Sequence, residues 1–241
     1  MQTKVVKIDP AQIDESEMEE AAKLIREGEL VAFPTETVYG LGADALHPEA
    51  SKKIYAAKGR PSDNPLIVHI CRFEELESIA REVPPQARKL ADAFWPGPLT
   101  MIVWKNDRVP YETTGGMDTV AIRMPNHPVA LKLIEESGCL IAAPSANTSG
   151  KPSPTEAAHV ALDLDGKIPM ILDGGPVGIG IESTIIDLTE KTPMILRPGY
   201  ITEEMLSEVL GDKAEGTGNE VQALCTEGGL SLSGRGSAAG C

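Results

Sequence analysis

Short apolar runs alternating with amphipathic stretches constrain this 241-residue chain more than any other feature. KVVKI (4–8), LVAF (30–33), PLIVHI (65–70), LTMIVW (99–104), TVAIRM (119–124), LIAA (140–143), PMIL (169–172), STIIDL (183–188) and PMILRP (193–198) read as strands. Between them, 14–27, 48–58, 74–80, 85–94, 128–137, 155–162 and 203–210 read as helices. Gly28 and Gly59 follow two of these as C-terminal stops, and Pro48 opens the second. That order predicts an α/β domain: a twisted, mostly mixed sheet flanked by helices. Residues 1–212 fit one such domain. The segment 213–241 is dominated by Gly, Ser, Ala and Thr without periodicity, and reads as a low-complexity, flexible tail.

Charge narrows the function. Twenty-two basic against 36 acidic residues leave a net charge of −14, which argues against coating nucleic acid or an anionic membrane surface. Aromatic residues make up only 4%, so stacking platforms for single-stranded nucleic acid are scarce and the core should be aliphatic. No apolar run approaches the roughly 18 residues of a membrane helix, and the N-terminus lacks an apolar signal core. A cytoplasmic protein is expected. Cys71, Cys139, Cys225 and Cys241 are scattered without a CxxC pair or a neighbouring His, so free thiols of a reducing compartment are expected, not a metal site.

Four polar, Gly/Pro-rich stretches interrupt the strands. FPTETVYGLGADA (33–45) offers Thr35 and Thr37 in a loop whose glycines let backbone approach a small ligand, or it is a turn with ordinary threonine caps. In AKGRPSDNPLIVHI (57–70), Lys58 and Arg60 suit a triphosphate, or merely complement a helix terminus. His69, inside an apolar strand, reads equally as a satisfied core histidine. Arg123 lies within the strand TVAIRM, and an uncompensated buried guanidinium is costly, so it should meet a carboxylate or phosphate, which a structural Asp or Glu could supply. AAPSANTSGKPSP (142–154) is a donor-rich loop able to hold phosphate, or a plain loop. DGGPVGIGIESTIIDL (173–188) adds four glycines before Ser183, and Arg197 ends the next strand before a Pro-Gly turn. No GxxxxGK[ST], GxSxG or HExxH accompanies them. Cations, hydroxyls and glycines without a nucleophile point to positioning and charge neutralisation.

PTETVYGLGADA, KGRPSDNPLIVHI, FWPGPLT, AIRMPNHP, APSANTSGKPSPT and ESTIIDL followed by ILRPG, in this order over about residues 10 to 210, resemble the YrdC-like threonylcarbamoyl-AMP synthases. The resemblance implies an α/β twisted sheet with a concave, positively lined cleft. It implies condensation of L-threonine, bicarbonate or CO2 and ATP to threonylcarbamoyl-AMP and pyrophosphate, with Mg2+ accompanying the nucleotide. It implies a nucleotidyltransferase whose product feeds the N6-threonylcarbamoyl modification of adenosine 37 in tRNA, through a separate tRNA threonylcarbamoyl transferase complex. Threonine would be held by Thr35 or Thr37, His69, Arg123, the backbone near Ala143, and Ser183. ATP would be held by Lys58, Arg60, Asn64, Thr119, Ser145, Asn147, Ser153 and Arg197, with Lys58 and Arg60 also spreading charge in catalysis.

The longer, two-domain form of the family has a linker tyrosine that covers ATP, and nothing in 213–241 resembles it. The expectation is a single-domain synthase with an unusual tail or a truncated two-domain one. Two alternatives follow from the same fold. One is an RNA-binding module, disfavoured by the −14 charge; the other is a carbamoyl-transfer domain of the hydrogenase-maturation type, whose acylphosphatase and zinc-finger modules are missing.

Overall fold

Period-two alternation divides the side chains of each apolar run between two faces, and both faces of this sheet are put to use. The computed structural model describes residues 2–211 and 215–216, without the side chains of Glu17 and Glu215. Its strands are β1 (Lys4–Lys7), β2 (Val31–Pro34), β3 (Tyr39–Asp44), β4 (Ile67–His69), β5 (Leu99–Trp104), β6 (Thr119–Arg123), β7 (Ile141–Ala142), β8 (Met170–Asp173), β9 (Thr184–Asp187), β10 (Met194–Arg197) and β11 (Glu215–Gly216). They form one sheet in the order β1-β8-β2-β3-β7-β4-β6-β5-β9-β10-β11. The sheet is mixed, as expected: β8 is parallel to β1 and β2, β4 to β6 and β5 to β9, whereas β3 and β7 run antiparallel to both their neighbours and β5 runs antiparallel to β6.

The helices are α1 (Glu15–Arg26), α2 (Pro48–Lys58), α3 (Phe73–Ile79), α4 (Pro85–Phe94), α5 (Tyr111–Thr114), α6 (Pro128–Ser137), α7 (Ala157–Leu164) and α8 (Glu203–Leu210). Local chemistry sets their ends. Asp14 caps α1 by accepting the Ser16 N–H, Pro48 and Pro128 open α2 and α6, and Gly59 and Gly138 close those two helices with φ of +62° and +63°.

One face is fully covered: Ala32, Leu41, Val68, Met101, Ile122, Ile171 and Ile186 meet the apolar sides of α2, α3, α4, α7 and α8 in the main core. On the other face, α1 and α6 pack over one end, where Met18, Ile25, Leu133 and Ile134 bury Val31, Phe33, Ile141 and Leu172. At the far end of that face Ile102, Ala121, Ile185 and Leu196 form a small separate cluster. The gap between these two clusters is the concavity in which the site lies.

Two expectations needed correction. YGLGAD, read as part of a ligand loop, is strand β3, paired with β2 from Val31↔Gly42 to Pro34↔Tyr39. Its glycines serve packing: a Cβ on Gly42 would stand 2.6 Å from Phe33 Cε1 and 2.7 Å from Ile141 Cγ2. The helix expected over 155–162 runs instead from Ala157 to Leu164, after Glu156 at its N-cap. Of the expected tail, Glu215 and Gly216 pair in parallel with β10, and the remainder of 213–241 lies outside the described residues.

Cys71 and Cys139 are unpaired, half-buried and packed against the α1–α6 core, where burial pushes both thiols up to about 11. Cys225 and Cys241 lie outside the described residues. Among the described residues no helix is long and apolar enough to cross a membrane.

Candidate functional site

A cleft open to solvent occupies the gap on this face. Thr35, Thr37, Arg60, His69, Arg123, Ala143, Ser145, Ser183 and Arg197 line it, together with Glu182. Strand alternation explains their convergence: Ile67 and His69 on β4, Arg123 on β6 and Ile185 on β9 all project from the face opposite the main core.

Arg123 is the buried anchor at one end, with a side chain 4% exposed. Its Nε donates to Gly97 O at 3.3 Å and its Nη1 to Thr37 Oγ1 at 3.0 Å, while Nη2 stands 2.6 Å from Glu36 Oε1. Burial works against the guanidinium's charge and Glu36 supports it. Arg123 and Glu36 form a buried ion pair, and among the described residues Nη2 and the Glu36 oxygens have no partner besides each other. The compensating carboxylate that a buried arginine demands is thus present within the chain. Sequence reasoning passed over Glu36; its signal was an acid between two threonines at a strand end, in a stretch otherwise without charge from Leu30 to Ala43.

Proton bookkeeping separates the two threonines. The single hydroxyl proton of Thr35 goes to Val38 O at 2.7 Å, so in the 2.9 Å contact between the two hydroxyls Thr37 donates. The N–H groups of Thr37 and Val38 also point at Thr35 Oγ1, at 3.2 and 3.3 Å, so three donors share its two lone pairs and none is left over. Among the described residues Thr37 Oγ1 accepts from Arg123 alone and keeps a lone pair. His69 is buried edge-on to Phe33, and its Nδ1 pairs with Ile67 O at 3.1 Å. Burial, reinforced by Arg123, pushes the ring down to about 3, so it is neutral. Ala143 donates its N–H to Ile67 O.

Cations gather at the other end. Gly59 turns the chain out of α2, and Arg60 then lies against the cleft, donating to Asn64 Oδ1 at 2.6 Å and Pro65 O at 3.1 Å. Lys58, 1% exposed, donates to the carbonyls of Ser145 and Asn147 and so ties the PSAN loop to the end of α2. Burial and the neighbouring Arg60 pull its ammonium down to about 7. Arg197 donates from Nε to Ser183 O at 3.1 Å and from Nη2 to Ser183 Oγ at 3.2 Å, and its Nη1 pairs with Glu182. Ser183 Oγ also contacts Thr100 Oγ1 at 2.8 Å. Ser153 donates to Glu182 Oε1 at 2.8 Å. Burial raises the Glu182 carboxyl, but Arg197, Ser153, Arg60 and Lys58 outweigh it and hold the group below its ordinary value.

The sequence-derived set therefore falls into layers. Nine of its members reach the cleft, whereas Lys58, Asn64, Asn147 and Ser153 stand behind, each bonded to a cleft loop or to a side chain that lines it. Thr119 opens β6 four residues before Arg123, roughly 13 Å away along the strand, and does not line the cleft. Among the described residues no group of three or more His, Cys, Asp or Glu side chains could hold a metal ion.

The family model described as "Telomere recombination", covering Sua5, YciO and YrdC proteins, matches residues 23–199. The threonylcarbamoyl-AMP synthase of Pyrococcus abyssi is 60% identical over 83% of this chain and 59% of its own length, and that of Bacillus subtilis is 57% identical over 84% and 59%. The chain thus spans about three-fifths of these curated relatives. A putative threonylcarbamoyl-AMP synthase of Mycobacterium tuberculosis is 41% identical over 79% of this chain and 88% of its own. The solved structure of Pyrococcus abyssi Sua5 complexed with L-threonine superposes with a TM-score of 0.87 at 57% identity, covering 89% of this chain and 63% of that one. Fold, cleft and sequence agree that the chain belongs to the Sua5–YciO–YrdC family.

Proposed function

We propose that this chain is an L-threonylcarbamoyl-AMP synthase, a nucleotidyltransferase that condenses L-threonine, bicarbonate or CO2 and ATP, within residues 1–212. The observation that carries the reading is one cleft with a buried guanidinium at one end and two arginines at the other. A zwitterionic amino acid and a polyanionic nucleotide suit those two ends. The names of the relatives and the threonine complex of the Pyrococcus abyssi protein support it.

In this reading Arg123 holds the threonine carboxylate, with Glu36 and Gly97 O fixing the plane of the guanidinium. Thr37 supplies the hydroxyl lone pair that Thr35 lacks, and neutral His69 and Ser183 face the amino-acid side chain. ATP lies over Arg60, Ser145 and Arg197, while Lys58 and Asn147 hold the loop beneath it. The threonine amine adds to CO2 and loses a proton, giving a carbamate. A carbamate oxygen then attacks the α-phosphorus, the bond to the β-phosphate oxygen breaks, and pyrophosphate leaves with the electron pair. Arg60 and Arg197 neutralise the departing charge, so alignment and electrostatics supply the catalysis. Mg2+ enters on the nucleotide's phosphates as part of the substrate, the usual mode where no protein cage is built. The product passes to a separate tRNA threonylcarbamoyl transferase complex in the cytoplasm.

The test is pyrophosphate release from ATP and Mg2+ with threonine or bicarbonate omitted in turn. Each omission is expected to abolish release, and release indifferent to both overturns the proposal.

A further inference from the structure

Glu182 is an anion standing among cations that the nucleotide reading assigns to phosphate. It sits at the end of the glycine-rich connection from β8 to β9, its side chain 35% exposed at the cleft. One carboxylate oxygen accepts from Ser153 and the other pairs with Arg197, two of the side chains proposed to hold ATP. The charges of Arg60 and Lys58 also act on it. A carboxylate in this place does for the ligand-free cleft what a phosphate oxygen does for the filled one: it offsets the arginines and fixes their side chains.

We propose that Glu182 is a positioning residue that serves as the resident anion of the empty phosphate site, and that the nucleotide's phosphates take its place. The proposal rests on the nucleotide reading of this cleft. The exchange needs little backbone motion. The connection is fastened by Val177 N–H to Thr155 O, Ile179 N–H to Glu36 O and Gly180 N–H to Thr37 O, so rotation of one partly exposed side chain frees Arg197 and Ser153. A pyrophosphate unit brings several negative charges against the single charge of the carboxylate, so the exchange favours the ligand. The resident anion nevertheless lowers apparent affinity by the fraction of molecules in which it occupies the site.

The proposal is tested by titrating inorganic pyrophosphate, without Mg2+, into wild-type protein and into Glu182→Gln by calorimetry, with adenosine as a second ligand. Glutamine still accepts from Ser153 but carries no charge. The variant should bind pyrophosphate about tenfold more tightly than wild type, with adenosine affinity unchanged. Glu182→Ala should move in the same direction. Damage to the fold weakens binding and cannot tighten it. Equal or weaker pyrophosphate binding by both variants overturns the role of Glu182 alone. Wild-type protein that binds neither pyrophosphate nor MgATP overturns the nucleotide reading together with it.

Discussion

His69 shows how a single residue reports on the cleft. Its ring is buried and beside Arg123, and both factors disfavour the imidazolium and push it down to about 3. An unfolded histidine titrates near 6.5, so between about 6.5 and 3 the unfolded chain binds a proton that the folded chain refuses. Stability from this group is complete above pH 6.5 and is lost as pH falls through that window. Denaturant unfolding of wild type against His69→Gln should show one proton's worth of extra pH dependence in the wild type between pH 6.5 and 4; parallel curves contradict the assignment. The same scale marks what the sequence concealed. Arg123 announced itself as a charge inside an apolar strand. Its partner Glu36 and the anion Glu182 are ordinary acids in loops, and only the fold shows that each faces an arginine.

At the scale of elements, periodicity and end signals were most informative where both were strong. α6 follows Pro128–Ser137 because a proline opens it, a glycine at φ +63° closes it, and its apolar stripe faces α1. β3 escaped because YGLGAD carries two glycines, which weigh against a strand when packing neighbours are unknown. Those neighbours are Phe33 and Ile141, both fully buried, and they leave no space at Gly42. Gly42→Ala should therefore cost about 1–3 kcal/mol through overpacking, lowering the melting temperature by several degrees. Gly178→Ala, at a position with nothing within 4 Å and no left-handed φ, should leave it unchanged in the same thermal scan. A Gly42→Ala protein that melts with the wild type contradicts the close approach of β3 to its neighbours.

The whole molecule separates its charges by region. Residues 14–29 alone carry seven acids against two bases, chiefly on α1, while Arg60, Arg123 and Arg197 converge on the cleft. A net charge of −14 is therefore compatible with the cationic site proposed for a nucleotide while discouraging broad contact with tRNA. If amino acid and nucleotide meet in this one cleft through a carbamate, mass spectrometry of the product formed from ATP, threonine and 13C-bicarbonate reads it directly. The expected product is an adenylate whose mass includes threonine and one 13C carbon. An adenylate of threonine without the labelled carbon, or no adenylate at all, would contradict it.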